Sequence, residues 1–146
     1  MSGRPPAPLS AETVVLLHAA RLAEKRQALF YRSLASAAED ARDEELSERL
    51  NGLHADEQHH LSRLTVRLLE LGEPVADLGP ERAPAVSLED WEAAAREREA
   101  AELERYSQLL LLPLDDRTRV MIDEFAAAER SHARVLGGKW MGAEPW

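Results

Sequence analysis

Two places in this 146-residue sequence carry a glutamate and a histidine three positions apart, Glu57-Gln58-His59-His60 and Glu129-Arg130-Ser131-His132. On a helix, residues i and i+3 share a face about one turn apart. A carboxylate and an imidazole so placed can point at one metal ion. A single pair of this kind arises often by chance and usually marks a solvated helix face. Its recurrence is what points to metal. Two further glutamates stand in a matching pattern, with Glu24 followed by Tyr31 and Glu99 by Tyr106, each seven positions on. From Glu24 to Glu57 is 33 residues and from Glu99 to Glu129 is 30, so the two halves of the chain echo one another. Glu102 lies one turn beyond Glu99.

Helices must position these groups, and the composition provides for them. Apolar residues make up 45% and charged residues 31%, and aromatic residues only 5%, which favours a globular all-α fold. The length suits one domain with a real core. A net charge of −9 argues against a nucleic-acid surface, which needs concentrated Lys and Arg. The absence of cysteine excludes disulfides, thiolate metal sites and Cys nucleophiles. No apolar run is long enough to span a bilayer, and no signal-peptide character follows Met1. The expectation is a cytoplasmic protein with neither nucleic acid nor membrane as partner.

The pattern predicts four helices. The first starts at an N-cap on Ser10 and runs to about Asp40, burying Val14, Leu17, Glu24, Ala28, Tyr31, Ala35 and Ala38. The second runs from about Arg42 to Leu71 on a seam of Leu46, Leu50, Leu53, Glu57, His60, Leu64 and Leu71, and stops at Gly72 and Pro74. Residues 73–86 hold Pro74, Gly79, Pro80 and Pro84 and no helical period. Extended chain spans about 3.3 Å per residue, so this stretch can run the length of a bundle. Ser87-Leu88-Glu89-Asp90 reads as a variant capping box opening the third helix. That helix has the seam Ala95, Glu99, Glu102, Tyr106, Leu109 and closes before Pro113. Asp115 or Asp116 caps the fourth helix, with seam Ile122, Phe125, Glu129, His132, Leu136, and Gly137-Gly138 should end it. The expected architecture is an antiparallel four-helix bundle with a long crossover between helices 2 and 3. Residues 1–9 form a flexible arm, 10–138 the bundle and 139–146 a tail without assigned structure; no fifth helix is evident.

In such a bundle Glu24, Glu57, His60, Glu99, Glu129 and His132 all point inward. Burying that many carboxylates uncompensated is prohibitive, with an effective cost of about several kcal/mol per ion. Four glutamates balance two divalent cations, and two imidazoles complete the ligand set. Mixed carboxylate and imidazole ligation suits iron or manganese, with zinc as a common substitute. His18, His54 and His59 read as surface residues; His59 sits about 100° round the helix from His60. Arg21 and Arg98 read as helix-surface charges.

With these residues in place, the sequence resembles the ferritin-like di-iron superfamily, and most closely the rubrerythrin-type domain. The resemblance spans residues 10 to about 137. It is carried by Glu24 with Tyr31, Glu57-x-x-His60, Glu99-x-x-Glu102 with Tyr106, and Glu129-x-x-His132. It implies two iron ions, with Glu57 and Glu129 as bridging carboxylates and Glu24 and Glu99 as terminal ligands. It also implies that Glu102 and His60 exchange as ligands when the iron changes oxidation state. Tyr31 cannot reach Glu24, since seven residues is about 10.5 Å along the axis. By the resemblance Tyr31 hydrogen-bonds Glu99 across the bundle and Tyr106 bonds Glu24, orienting both carboxylates.

Rubrerythrins also carry a Cys-rich iron centre that passes electrons to the di-iron site. That module is absent here, so the resemblance implies a separate electron donor. The activity implied is reduction of hydrogen peroxide, or dioxygen, with coupled Fe(II) oxidation. The alternatives are a ferroxidase or iron-storage module and, below it, oxygenase chemistry on an organic substrate. A metal-free helical interaction protein is the remaining alternative. The family suggests a homodimer.

Overall fold

The computed structural model describes residues 9–140, with side chains from Leu9 to Leu136. Most of the expected arm and tail, residues 1–8 and 141–146, lies outside the described residues. Four helices follow in order: α1 (Ala11–Asp40), α2 (Glu44–Glu70), α3 (Trp91–Leu110) and α4 (Asp116–Trp140).

The helix ends show why the chain turns where it does. Ser10 Oγ accepts from the Thr13 amide at 3.1 Å and opens α1. At the far end Arg42 takes a left-handed φ of 60°, and the Asp43 amide returns to the Ala38 carbonyl at 2.9 Å. Asp43 then caps α2 through the Leu46 amide at 3.1 Å. The end of α2 repeats this geometry. Gly72 has φ 80°, and the Glu73 amide bonds the Leu68 carbonyl at 3.0 Å. Here glycine supplies the left-handed residue without the steric cost that Arg42 bears.

Two expected boundaries differ. Ser87 Oγ does accept from the Asp90 amide, at 3.3 Å, but this closes a separate turn. Asp90, at φ −102° and ψ 0°, is still outside the helix, and α3 begins one residue later at buried Trp91. Gly137-Gly138 does not end α4, which continues to Trp140. Glycine stops a helix only where it adopts the left-handed conformation. Among described glycines, Gly72 and Gly79 do so.

The long connection is tied to α1 by cations. Arg21 donates from Nη1 to the Ala76 carbonyl at 2.9 Å, and Lys25 to the Gly79 carbonyl at 2.7 Å. Arg26 pairs with Glu81 at 2.9 Å. Contacts advance together along both segments, so the connection runs parallel to α1 and delivers α3 antiparallel to it. Arg21 is therefore no surface charge. It is 9% exposed, and a further bond from Nε to Thr65 Oγ1 at 2.8 Å helps satisfy its guanidinium. Burying it is tolerable because its donors have partners.

The core falls into two apolar blocks. One is built on Leu17, Leu64, Leu68, Leu109, Ile122 and Phe125. The other is built on Phe30, Leu34, Leu50, Trp91, Ala95 and Leu136. Each helix passes through both blocks and carries its glutamates in between. The result is a polar layer closed above and below by packed side chains. No described helix is long and apolar enough to cross a membrane.

Candidate metal centre

Glu24, Glu57, Glu99 and Glu129 are each 0% exposed, with His60 at 5% and His132 at 7%. Each sits on the seam of its own helix, where flanking leucines and aromatics fix its direction. Glu24, Glu57, His60 and Glu129 each offer a ligand atom within a span of 4.8 Å, and so do Glu57, Glu99, Glu129 and His132. Glu57 and Glu129 belong to both groups. Exchanging Glu24 with Glu99, Glu57 with Glu129 and His60 with His132 turns one group into the other, so the repeat read from the sequence reappears in space.

The histidine nitrogens face the carboxylates. His60 Nδ1 lies 3.0 Å from Glu24, 3.4 Å from Glu129 and 3.5 Å from Glu57. His132 Nδ1 lies 3.5 Å from Glu99, 3.8 Å from Glu129 and 3.9 Å from Glu57. The expected tyrosine bonds are present. Tyr31 donates to Glu99 Oε1 at 2.5 Å, and Tyr106 donates to Glu24 Oε2. Burial first, and then the neighbouring carboxylates, raise both phenols above their ordinary range, so they remain donors.

The electrostatics set the buried carboxylates against one another. Burial, followed by the charges of Glu24 and Glu99, pushes Glu57 well up. Burial, then Glu99 and Glu57, does the same to Glu129. Burial also works against ionisation of Glu99, but His132, Glu129 and Tyr31 outweigh it and hold that carboxyl low. Burial opposes protonation of His132, yet Glu99 and Asp56 outweigh it and raise its pKa. Both oxygens of Glu57 and of Glu129, Glu24 Oε1, Glu99 Oε2 and His132 Nδ1 are buried without a hydrogen-bond partner. Orphaned acceptors converging from four helices are the donor set that a pair of divalent cations requires.

Glu102 is 3% exposed but belongs to neither four-residue group. Its Oε1 accepts from Arg105, while its buried Oε2 has no partner. Burial, then the Glu24 charge, raises its pKa to about 8 against the pull of Arg105. The repeat pairs Glu102 with Gln27, each three residues after its glutamate. Gln27 Nε2 donates to Glu99 Oε1 at 3.3 Å, and its Oε1 accepts from Arg98 Nε at 2.7 Å. Arg98 is half-buried with its guanidinium 4.7 Å from the Phe30 ring centroid, so it too differs from the expected surface charge.

Sequence reasoning missed Gln27 and Asp56. Asp56 Oδ2 accepts from His132 Nε2 at 2.9 Å and directs Nδ1 inward. The usable signal was its position next to Glu57, but a solvent-facing aspartate on α2 gives no hint of a partner on α4. His59 is exposed as expected. His54, read as a surface residue, is half-buried, with Nδ1 3.0 Å from the Ala28 carbonyl.

No protein-family model matches the chain, and no curated protein matches it. Solved structures do. The Desulfovibrio desulfuricans bacterioferritin, whose di-iron site is known in different catalytic states, superposes with a TM-score of 0.81 at 20% identity, covering 92% of this chain and 82% of that one. The Mycobacterium tuberculosis bacterioferritin gives 0.81 at 19% identity, covering 98% and 90%. A Chlorobium tepidum ferritin gives 0.80 at 18%, covering 92% and 85%. The fold is the ferritin-like four-helix bundle. At these identities the likeness is one of fold, and the ferritin-like bundle here is characterised chemically by its own side chains.

Proposed function

We propose that the protein is a di-iron carboxylate protein that binds Fe(II) and promotes its oxidation, a ferroxidase or iron-storage module. The observation that carries this reading is the pair of four-residue groups sharing Glu57 and Glu129. The bacterioferritin and ferritin neighbours support it over a dedicated peroxidase.

In this reading Glu24, Glu57, His60 and Glu129 would hold one ion, and Glu57, Glu99, Glu129 and His132 the other. Tyr106 and Tyr31 hold the terminal carboxylates in orientation, and Asp56 holds His132. The apolar blocks exclude bulk water from both ends of the site. Iron held there would supply the electrons for reducing dioxygen or peroxide. Manganese or zinc can occupy the same donors.

A second reading, peroxide reduction with Glu102 replacing His60 as a ligand, is favoured by the buried, unpartnered Oε2 of Glu102. It requires a separate electron donor, and a homodimer is the assembly proposed for either reading. Anaerobic Fe(II) titration followed by rapid mixing with dioxygen or peroxide tests both. Saturation at about two irons per chain with oxidation of the bound metal supports a di-iron protein. Further iron retained after oxidation supports storage. Oxidation by peroxide far faster than by dioxygen, slowed by Glu102→Gln, supports the second reading. Absence of stoichiometric iron binding overturns both.

A further inference from the structure

A groove of about 400 Å³ lies between α1 and α3, away from the apolar ends of the bundle. Gln27 and Glu102 contribute to its lining, and Arg26, Arg98 and Arg105 line it as well. In a chain of net charge −9 this is a local reversal of sign.

The three arginines are not equivalent. Arg26 is half-exposed and pairs with Glu81 of the connection. Arg105 is engaged by Glu102. Arg98 has no carboxylate within ion-pair distance among the described residues. Its Nε is fixed on Gln27, and its guanidinium plane is held over Phe30. The Nη edge is thereby oriented without being used. A guanidinium fork held in this way matches two oxygens of one phosphate or carboxylate group.

We propose that the α1/α3 groove is a binding site for a compact, multiply charged oxyanion, seated on the Nη edge of Arg98, with Arg26 and Arg105 adding charge. The chemistry disfavours a free divalent cation, which three arginines repel. This site stands whether or not the iron reading is right.

Inorganic phosphate and a small polycarboxylate such as citrate share the required chemistry, and the test separates them. The full chain is titrated calorimetrically with each anion at constant ionic strength in chloride, both as purified and after removal of metal. The expected result is saturable binding of at least one anion in both preparations. Arg98→Gln should weaken it about tenfold or more, and Arg26→Gln should weaken it less. Binding of phosphate alone assigns a tetrahedral anion, and binding of citrate alone assigns a polycarboxylate. Three results overturn the proposal: no saturable binding of either anion, binding lost with the metal and indifferent to Arg98→Gln, or both variants binding like the parent chain. Should Arg98→Gln not fold, the exposed Arg26→Gln decides, and an unchanged affinity counts against the site.

Discussion

Tyr31 on α1 donates a 2.5 Å hydrogen bond to Oε1 of Glu99 on α3, both buried at mid-bundle. Tyr106 and Glu24 make the reciprocal bond between the same two helices. Removing the Tyr31 hydroxyl leaves Oε1 of Glu99 with only the 3.3 Å bond from Gln27, at a cost of about 1–3 kcal/mol. Tyr31→Phe should lower the unfolding free energy of the metal-free protein by that amount in urea, with no change in helical content. A variant as stable as the parent would show that the bond contributes nothing net.

Glu57 should respond in the opposite sense. Its carboxyl is pushed up by burial and by its neighbours, so without metal it costs stability at neutral pH. Glu57→Gln should therefore melt higher than the parent chain when both are metal-free. It should also lose much of the rise in melting temperature that Fe(II) gives the parent. A lower metal-free melting point combined with an undiminished metal response would contradict the assignment of Glu57 to the site.

Asp56 offers a test that leaves every proposed ligand in place. It accepts from His132 Nε2 at 2.9 Å while remaining largely exposed itself. Loss of such a partner typically weakens metal binding about 10–100-fold. Asp56→Ala should do so in a competition assay against a chelator of known affinity. An unaltered affinity would reduce Asp56 to a surface contact.

Asp115 ties α2 to the start of α4 and carries a pH dependence. Its Oδ2 accepts from Arg67 at 2.6 Å and from the Thr118 amide at 3.2 Å, and Thr118 Oγ1 donates to Oδ1 at 2.6 Å. Partial burial alone would raise this carboxyl, but Thr118 and Arg67 outweigh it and hold it below its ordinary 3.8. A carboxylate whose pKa folding depresses stabilises the fold above its unfolded value, and that gain disappears as pH falls through the folded one. A cap of this kind is worth about 1 kcal/mol, or roughly 4 °C for a chain of this size. Asp115→Ala should lower the melting temperature by that much at neutral pH, and the gap should narrow as pH is taken below about 4. A gap independent of pH would mean that the charge of Asp115 plays no part.

The residues most legible in the sequence were those that violate a pattern. Glu24, Glu57, His60, Glu99, Glu129 and His132 occupy seam positions that otherwise hold Leu, Ala or aromatic residues, and a charge there demands a reason. The crossover was equally plain, because prolines and glycines interrupt the only aperiodic stretch. What the sequence concealed depends on partners from elements with no periodic register. Arg21 looks like any helix-surface cation until the Ala76 carbonyl and Thr65 arrive to satisfy it. Asp56 and Gln27 act across helix pairs, where sequence spacing carries no information. The end of α4 was misplaced because a glycine pair permits a helix stop without compelling one.

The twofold repeat is also imperfect where it matters. Asp56 precedes Glu57, whereas the corresponding residue before Glu129 is Ala128. The His132 imidazole is thus steadied by a carboxylate on its outer nitrogen, Nε2. The other, His60, rests against Phe125 at a ring separation of 4.2 Å. The two four-residue groups are therefore unequal, and if each takes an ion, the one at His132, whose imidazole is already fixed, should fill first and empty last.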